Sequence, residues 1–546
     1  MNTNQVRWIS RRTFLRTIGT GAVAASTSSL LASPAAHAQH QRRRFVLRED
    51  RFGRIFPRLP PFAPASPALE AALRDIGKPG GILDAKDNLA AGPVALIVDP
   101  VLSVNNPNNP THTAGTTFMG QFMDHDMTFD LSSRLGVPTE PADSANSRTP
   151  ALDLDAVYGG GPEADPELYE GVDRRSRRPA IKFRVESGGL FEDVPRDRNG
   201  TAIIADPRND ENMVISGLQA AFLRFHNRAV DLVRDGARDE KSDEHEVFRR
   251  ARQLTTWHYQ WMIVHEFLPL FIGQDMRDHI LRHGRKFYRP EVAQIPVEFQ
   301  GAAYRFGHSM VRPSYRANLA GDRDAANQPG PFFGMIFDPT GEGQSDPIDL
   351  RGGARASRRF IGWQTFFNFG AIPRPRGQAG TLGEDVRPNK LIDTRISTPL
   401  FNLPLGAIAS GDPPTALPQR NLLRAVTWQL PSGQSIARTM GVPALSKADL
   451  SELSGYGLGL DESTPLWLYI LKEGHVMEGG RHLGPVGGRI VGEVIIGLLE
   501  LDRDSYLWAH PRWRPTLPTT SGRVTGDFRM IDFLTFARVD PTSRGQ

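Results

Sequence analysis

The sequence contains no cysteine among its 546 residues. This absence excludes disulfide bonds, iron–sulfur clusters, thiolate-ligated haem and cysteine nucleophiles. Alternation of apolar and polar residues, which marks half-buried strands, is scarce, and no internal repeat is visible. The remaining composition, with 39% hydrophobic and 23% charged residues, is typical of a globular protein with a large core.

The N-terminus has the pattern of an export signal. Residues 10–15 read SRRTFL, a twin-arginine motif, and an apolar stretch over 18–31 leads to an AHA cleavage site at 36–38. The stretch is too short and too rich in Ser, Thr and Gly for a membrane-spanning helix. We therefore expect export by the twin-arginine route to the periplasm or beyond it, and no transmembrane segment in the mature chain.

Removal of the signal peptide, residues 1–38, also changes the charge of the chain. That segment contains four arginines and no acidic residue, so 65 basic residues become 61 and equal the 61 acidic residues. A near-neutral mature protein is not expected to bind nucleic acid. We interpret the Arg- and Pro-rich residues 39–95 as an extended N-terminal arm, and residues 96–546 as one large domain.

Helical periodicity dominates that domain. Apolar residues recur every three or four positions over 213–234, 247–272 and 297–311, which predicts three long helices. Pro- and Gly-rich segments separate the helical blocks. The sequence therefore predicts a mainly α fold with few short strands.

Two histidine segments carry most of the functional information. They are GQFMDHD at residues 120–126 and RFGHS at residues 305–309. Neither has a second histidine at the close spacing of a helical zinc site. We interpret them as the two sides of a site for a large flat group such as haem, with one histidine on iron and the other facing it.

The first histidine has neighbours suited to peroxide cleavage. A helix over 116–130 places Gln121 and His125 on roughly one side, and Arg208 precedes the next long helix. A neutral imidazole can carry a proton between the peroxide oxygens, and a fixed guanidinium can stabilise the charge that develops. A structural core histidine and a surface arginine are the open alternatives.

Taken together, these motifs resemble those of the animal-type haem peroxidases, the peroxidase–cyclooxygenase superfamily, in a bacterial exported form. The similarity covers most of residues 95–500. It includes, in order, GQFMDHD at 120–126, Arg208 followed by LRFHNR at 223–228, EFLP at 266–269, YRFGH at 304–308 and NLLR at 421–424. The resemblance implies a single helical domain with haem b buried between central helices.

The resemblance also implies an activity. Hydrogen peroxide would be reduced to water, and small organic donors, halides or thiocyanate would be oxidised through a ferryl intermediate. The main alternative is a fatty-acid dioxygenase on the same scaffold, in which a tyrosine stands three residues before the proximal histidine. This chain has Arg305 there, with Tyr304 displaced by one position. A secreted module that binds haem or calcium without catalysis is a third reading, and the sequence leaves the electron donor and the oligomeric state open.

The same resemblance assigns roles to residues near the two histidines. His308 is implied to be the proximal iron ligand, and Asn421 is implied to accept the other ring N–H of that histidine. His125 and Arg208 would form the distal catalytic pair. Gln121 would lie beside them and hold water or a halide.

Four further residues are implied to contact haem. Arg305 and Arg424 would face the propionates, and Asp124 and Glu211 stand where relatives can form ester bonds to haem methyl groups. Exposed surface arginines and ordinary helix acids are the alternatives at these positions. Asn212 occupies the place of a methionine that forms a sulfonium link in chloride-oxidising members, so strong chloride oxidation is not expected.

A calcium site is implied as well. The segment TPALDLD at 149–155 offers oxygen ligands at alternating positions, as a hard cation requires. A solvated acidic turn is the alternative. The expected ligands are Asp126, the side chain and carbonyl of Thr149, the Ala151 carbonyl, Asp153 and Asp155.

Overall fold

The structure is a computed structural model. The proposed signal peptide, residues 1–38, and residues 39–49 of the predicted arm lie outside the residues that it describes. No helix in the described part of the chain combines the length and the apolarity needed to span a bilayer. The described residues are 50–171, 180–187, 191–236, 243–323, 327–353, 357–370, 386–408, 410–519, 526–541 and 543.

Helices dominate the regular structure of these residues, which confirms the mainly α prediction. In chain order they are α1 Pro67–Ile76, α2 Gly92–Val98, α3 Gly115–Met127, α4 Asp155–Tyr158, α5 Met213–Gly236, α6 Glu244–Met262, α7 Leu268–Ile272, α8 Gln274–His283, α9 Val297–Gln300, α10 Gly307–Met310, α11 Leu417–Thr427, α12 Gly433–Met440, α13 Leu466–Glu478, α14 Pro485–Leu501, α15 Tyr506–Ala509 and α16 Met530–Phe536. A π-helical turn, Ile263–Phe267, joins α6 to α7 and confirms helix over the predicted range 247–272.

The strands of the described residues are short, as the sequence predicts. They are β1 Asn108–Thr113, β2 Glu186–Ser187, β3 Glu192–Asp193, β4 Ser314–Arg323, β5 Pro329–Met335 and β6 Pro388–Lys390. They form three two-stranded antiparallel sheets, which pair β1 with β6, β2 with β3 and β4 with β5. The helices therefore form most of the hydrophobic core.

The long helix predicted over 213–234 is confirmed as α5. The side-chain oxygen of Asn212 caps its start, because it accepts the N–H groups of Val214 at 3.1 Å and Ile215 at 3.0 Å. On the buried face, Phe222 stacks on Phe122 of α3 with ring centroids 4.5 Å apart. This contact fixes α3, which carries the first histidine segment, against α5.

The single helix predicted over 297–311 is wrong. The chain forms α9, a break at residues 301–302, a 3-10 turn at Ala303–Phe306 and then α10. Trp428 packs so closely on Gly301 that a Cβ there would lie 2.8 Å from the indole ring. Tertiary packing therefore overrides the helical periodicity, and the break sets the direction of α10, which carries the second histidine segment.

The extended conformation predicted for the arm, residues 39–95, is wrong for α1. Ser66 caps this helix by accepting the N–H of Leu69, and Pro67 stands at its start, where a missing N–H costs nothing. Leu69, Leu73 and Ile76 are buried in the main core, and α1 packs on α11. An apolar stripe at helical spacing drives this segment into the core.

Candidate active site

A cavity of about 850 Å³ opens between α3, α10, α11 and the 3-10 turn Pro207–Asp210. The fold brings both histidine segments to this cavity, with His125 reaching it from α3 and His308 from α10. The other predicted site residues that line it are Gln121, Asp124, Arg208, Glu211, Arg305 and Arg424. Residues far apart in the sequence therefore share one site.

His125 is buried and held on one side by an amide. Its Nδ1 lies 2.9 Å from Oδ1 of Asn209, and its Nε2 lies 3.9 Å from a carboxylate oxygen of Glu211. Burial, and to a lesser extent the charge of Arg208, lower the pKa of His125 to about 4. The ring is therefore neutral at pH 7 and can accept a proton.

The guanidinium of Arg208 is fixed by three contacts. It donates to both carboxylate oxygens of Asp206, at 3.1 and 2.8 Å, and to the carbonyl oxygen of His125 at 2.9 Å. Its central carbon also lies 4.0 Å from the ring centroid of Phe129. Burial opposes ionisation of Asp206, but Arg148 and Arg208 outweigh it and lower its pKa. These contacts fix the orientation of the Arg208 guanidinium in the cavity.

A chain of hydrogen bonds connects further side chains on the His125 side of the cavity. Asn212 Nδ2 donates to Gln121 Oε1 at 3.3 Å, and Gln121 Nε2 donates to Glu211 Oε2 at 3.0 Å. Burial raises the pKa of Glu211 to about 8. Asp124 lines the same cavity and accepts the hydroxyl of Thr128 at 3.2 Å.

On the other segment, His308 contacts Asn421 of α11. The Asn421 side-chain nitrogen lies 2.8 Å from His308 Nδ1, while the buried Asn421 Oδ1 has no hydrogen-bond partner among the described residues. If the amide is turned by 180°, its oxygen accepts a hydrogen bond from Nδ1–H of His308. That arrangement leaves Nε2 with a free lone pair. Burial lowers the pKa of His308 to about 3, so the ring is neutral.

The two cavity arginines on the His308 side are half-buried, which rules out the exposed-surface alternative for them. Arg305 Nε donates to the carbonyl of Gln300 at 2.8 Å, and Arg424 lies 3.4 Å from a carboxylate oxygen of Asp130. Burial, and then repulsion by Arg424, lower the pKa of Arg305 to about 9. Because few negative charges face Arg305 and Arg424, these two cations favour the binding of an anionic group in the cavity.

The predicted cation ligands Asp126, Asp153 and Asp155 come together beside α3, with one oxygen of each within 4.8 Å of the others. Burial, and then repulsion by Asp155 and Asp153, raise the pKa of Asp126 well above its usual value. Thr149 donates its hydroxyl to Asp153 at 2.7 Å, and the N–H of Ala151 donates to the Thr149 carbonyl at 2.7 Å. Three close carboxylates are a donor set that fits a hard divalent cation.

The sequence reading missed four residues that support the site, namely Asn209, Gln219, Asp206 and Arg148. The sequence could have indicated Gln219, because it is a polar residue next to the apolar stripe of α5. The structure shows that Gln219 is fully buried. Asp206 and Asn209 lie beside Arg208 in the sequence, but only the structure shows which side chains they contact. Arg148 Nε lies 2.8 Å from Asp206, and no local pattern marks that pair.

Comparisons with known proteins agree with these features. The profile of the animal haem peroxidase family matches residues 131–348. The chain is 32% identical to the dual oxidase of Drosophila melanogaster over 111 residues, which are 20% of this chain and 7% of that protein. It is 24% identical to the peroxidasin homolog of Homo sapiens over 293 residues, which are 50% of this chain and 17% of that protein. The chain spans well under a third of either relative.

Solved structures show a shared fold. Peroxidase A of Dictyostelium discoideum has a TM-score of 0.54 at 16% identity, covering 84% of this chain and 88% of that chain. The fatty acid alpha-dioxygenase of Oryza sativa has a TM-score of 0.51 at 16% identity, covering 86% and 83%. The family match over residues 131–348 and the shared fold make this chain similar to the animal-type haem peroxidases.

The match to the animal haem peroxidase family implies haem as the cofactor. The residues present fit that group. The cavity has the size of a small-molecule or cofactor site and carries a neutral histidine on each of two different helices. The buried oxygen of Asn421 beside His308 is suited to orient an iron-binding ring, and Arg305 and Arg424 are suited to bind carboxylates.

Proposed function

We propose that this chain is a haem peroxidase, which reduces hydrogen peroxide to water and oxidises small organic donors, halides or thiocyanate. One observation carries the proposal. His125 of α3 and Arg208 of the turn Pro207–Asp210 enter the same cavity as His308 of α10. Asn421 of α11 contacts His308. His308 would hold the haem iron, and Arg305 with Arg424 would bind the propionates. When bound, haem supplies the redox chemistry, since it gives two electrons to peroxide and recovers them from donors.

His125 is the proton carrier in this scheme. Because its ring is neutral at pH 7, Nε2 can take the proton from one peroxide oxygen and return it to the other, which leaves as water. Such general acid–base catalysis contributes about 10²–10⁴ in rate.

Arg208 stabilises the negative charge that develops as the O–O bond breaks. Its guanidinium is held by Asp206 and by the carbonyl of His125, so no reorganisation is needed during the reaction. The amide of Gln121 is placed to hold water or a halide beside them. Asn212 lies in this group in place of a sulfonium-forming methionine, and we propose that chloride is therefore a poor donor.

The test replaces Arg208 by Gln and follows the reaction with peroxide by stopped-flow absorption. We expect the rate constant to fall by on the order of 10²–10³ while haem stays bound. Arg134→Gln is the matched control, because Arg134 lines the same cavity but is exposed. An Arg208 variant that reacts as fast as the control contradicts the proposal.

A fatty-acid dioxygenase is the second candidate, and one observation favours it. Tyr304 lines the cavity, is buried, and its hydroxyl has no hydrogen-bond partner among the described residues. Oxygen uptake with a polyunsaturated fatty acid, without added peroxide, tests this activity. Loss of that uptake in Tyr304→Phe would support the dioxygenase, and no uptake by the unmodified protein rejects it.

We propose ester bonds from Asp124 and Glu211 to haem methyl groups, because both carboxylates line the cavity. Denaturation and extraction with acidified solvent tests this. Haem that stays with the protein supports the bonds, and haem that partitions fully into the solvent excludes them. Asp124→Asn and Glu211→Gln then show which carboxylate forms each bond.

We propose that the carboxylates of Asp126, Asp153 and Asp155 bind calcium. Asp126 directly follows His125, so the ion would brace the end of α3. Chelation should lower both the midpoint of thermal unfolding and the rate with peroxide, and added calcium should restore them. Asp153→Asn should abolish the response to chelator, and a response of unchanged size contradicts the site.

We also propose export by the twin-arginine route to the periplasm or beyond it. The support is the SRRTFL motif and the AHA site in the sequence. Replacing Arg11 and Arg12 by Lys should leave the protein in the cytoplasm, whereas exported protein should begin after Ala38. Export of the double variant at the normal rate would reject this route.

A further inference from the structure

Asn209 contacts the catalytic histidine from the same turn that presents Arg208. Its Oδ1 lies 2.9 Å from Nδ1 of His125, and its Nδ2 donates to Oε1 of Gln219, on α5, at 2.9 Å. Asn209 and Gln219 are both fully buried. The three side chains form one hydrogen-bonded row from α5 to α3, closed off from solvent.

The row determines which ring nitrogen carries the proton. In the structure the amide nitrogen of Asn209 donates to Oε1 of Gln219 and its oxygen faces the ring, and an amide oxygen can only accept a hydrogen bond. Nδ1 of the neutral ring must therefore carry the hydrogen. Nε2 is left without one, and this is the nitrogen on the side of Glu211 and the cavity.

The other polar groups near His125 do not provide this control. Arg208 contacts its backbone carbonyl, and Glu211 lies 3.9 Å away on the Nε2 side. Asp206 and Asp124 act on the ring through charge and not through a contact with Nδ1. Among the described residues, Asn209 is the hydrogen-bond partner of Nδ1.

We propose that Asn209, supported by Gln219, is a positioning residue that fixes the tautomer and the orientation of His125, so that the lone pair of Nε2 points into the cavity. The inference rests on the proposed peroxidase function. Without this hydrogen bond the ring would divide its population between two tautomers, and one of them presents N–H where the proton must be accepted.

The test compares Asn209→Leu, which removes the acceptor at similar volume, with Asn209→Asp, which keeps it. In the haem-loaded protein we expect Asn209→Leu to lower the rate constant with peroxide by on the order of 10–100-fold. Asn209→Asp should recover most of that rate. Equal loss in both variants would mean that the acceptor oxygen is not what matters, and a normal rate in Asn209→Leu would also overturn the inference.

A spectroscopic readout separates positioning from general stability. The carbonyl stretching band of the carbon monoxide complex of the reduced protein reports the hydrogen bonding on the distal side. It should shift or split in Asn209→Leu and stay single in Asn209→Asp. If the unmodified protein binds haem but does not react with peroxide, the peroxidase proposal fails, and this band still decides the role of Asn209.

Gln219 provides a second variant if Asn209→Leu does not fold. Gln219→Leu removes the group that holds the Asn209 amide without touching His125. We expect a smaller decrease of about 10-fold in the rate and the same kind of band shift. A folded Gln219→Leu protein with an unchanged rate and an unchanged band contradicts the inference.

Discussion

The carboxylate of Asp206 holds the guanidinium of Arg208 through two hydrogen bonds, at 3.1 and 2.8 Å. The same carboxylate lies 2.8 Å from Arg148 Nε, and Arg148 reaches Asp155 of the acidic cluster at 3.6 Å. One buried anion thus connects the candidate cation site with Arg208, the proposed catalytic arginine.

Replacing Asp206 by Asn should therefore affect both stability and chemistry. Arg208 would lose its carboxylate partner and the buried Arg148 would keep only Asp155, so we expect the free energy of unfolding to fall by about 3–5 kcal/mol. The rate with peroxide should fall as well, because Arg208 loses its orientation. Urea unfolding and stopped-flow absorption measure the two effects. Asp504→Asn, at an exposed position, is the control and should stay within about 0.5 kcal/mol of the parent protein.

Gly352 packs on the turn that carries Arg208. Its N–H donates to the carbonyl of Glu211 at 3.0 Å, and an added Cβ would lie 1.6 Å from the backbone oxygen of Asp210. Gly352→Ala should therefore displace the turn, lower the free energy of unfolding by about 1–3 kcal/mol and slow the reaction with peroxide. No atom of the described residues lies within 4 Å of a Cβ built on Gly455, so Gly455→Ala should change neither quantity.

Asn421 should control how firmly His308 holds iron. Asn421→Leu removes the acceptor for Nδ1–H, and we expect the affinity for haem or the peroxidase activity to fall by on the order of 10–100-fold. Asn421→Asp keeps an acceptor and should retain most of the binding. Titration of the haem-free protein with haem, read from its absorption spectrum, measures the affinity. Equal affinity in Asn421→Leu and the parent protein would remove Asn421 from this role.

We expect His226, which lies outside the active site, to make the free energy of unfolding depend on pH. It is fully buried, between the hydroxyl of Tyr158 at 3.0 Å and the carbonyl of Ile181 at 2.9 Å. Burial lowers its pKa to about 4, so the unfolded chain binds its proton first as pH falls. The contribution of the neutral His226 ring to the free energy of unfolding is fully present above about pH 6.5. It is lost as the pH falls towards 4, which lowers the free energy of unfolding by up to about 3 kcal/mol.

Urea unfolding between pH 4.5 and 7.5 tests this prediction. The free energy of unfolding of His226→Gln should fall less steeply with decreasing pH than that of the parent protein. His245→Gln is the control, because the His245 side chain is 68% exposed. Equal slopes in the parent protein and His226→Gln would contradict the assignment.

The sequence predicted much of the fold and the site, but not all of it. Helix α5 could be predicted from its apolar stripe, because the apolar residues that recur at helical spacing are the ones that the structure buries. The helix over 297–311 fails because packing of Trp428 on Gly301 breaks a pattern that is locally helical. Helix α1 departs from the predicted extended arm because this Pro- and Arg-rich segment also contains an apolar stripe at helical spacing, Leu69, Leu73 and Ile76. Local patterns report what a segment can form, and long-range packing selects among these conformations.

The amino-acid sequence by itself determined the mainly helical fold, the exclusion of cysteine chemistry and the identity of the two histidine segments. Only the tertiary structure decided which side chains support them. Asn209 lies 84 positions from His125, and Asn421 lies 113 positions from His308. Hydrogen-bond partners at such separations depend on how helices pack, and packing is a property of the whole core that no single segment encodes.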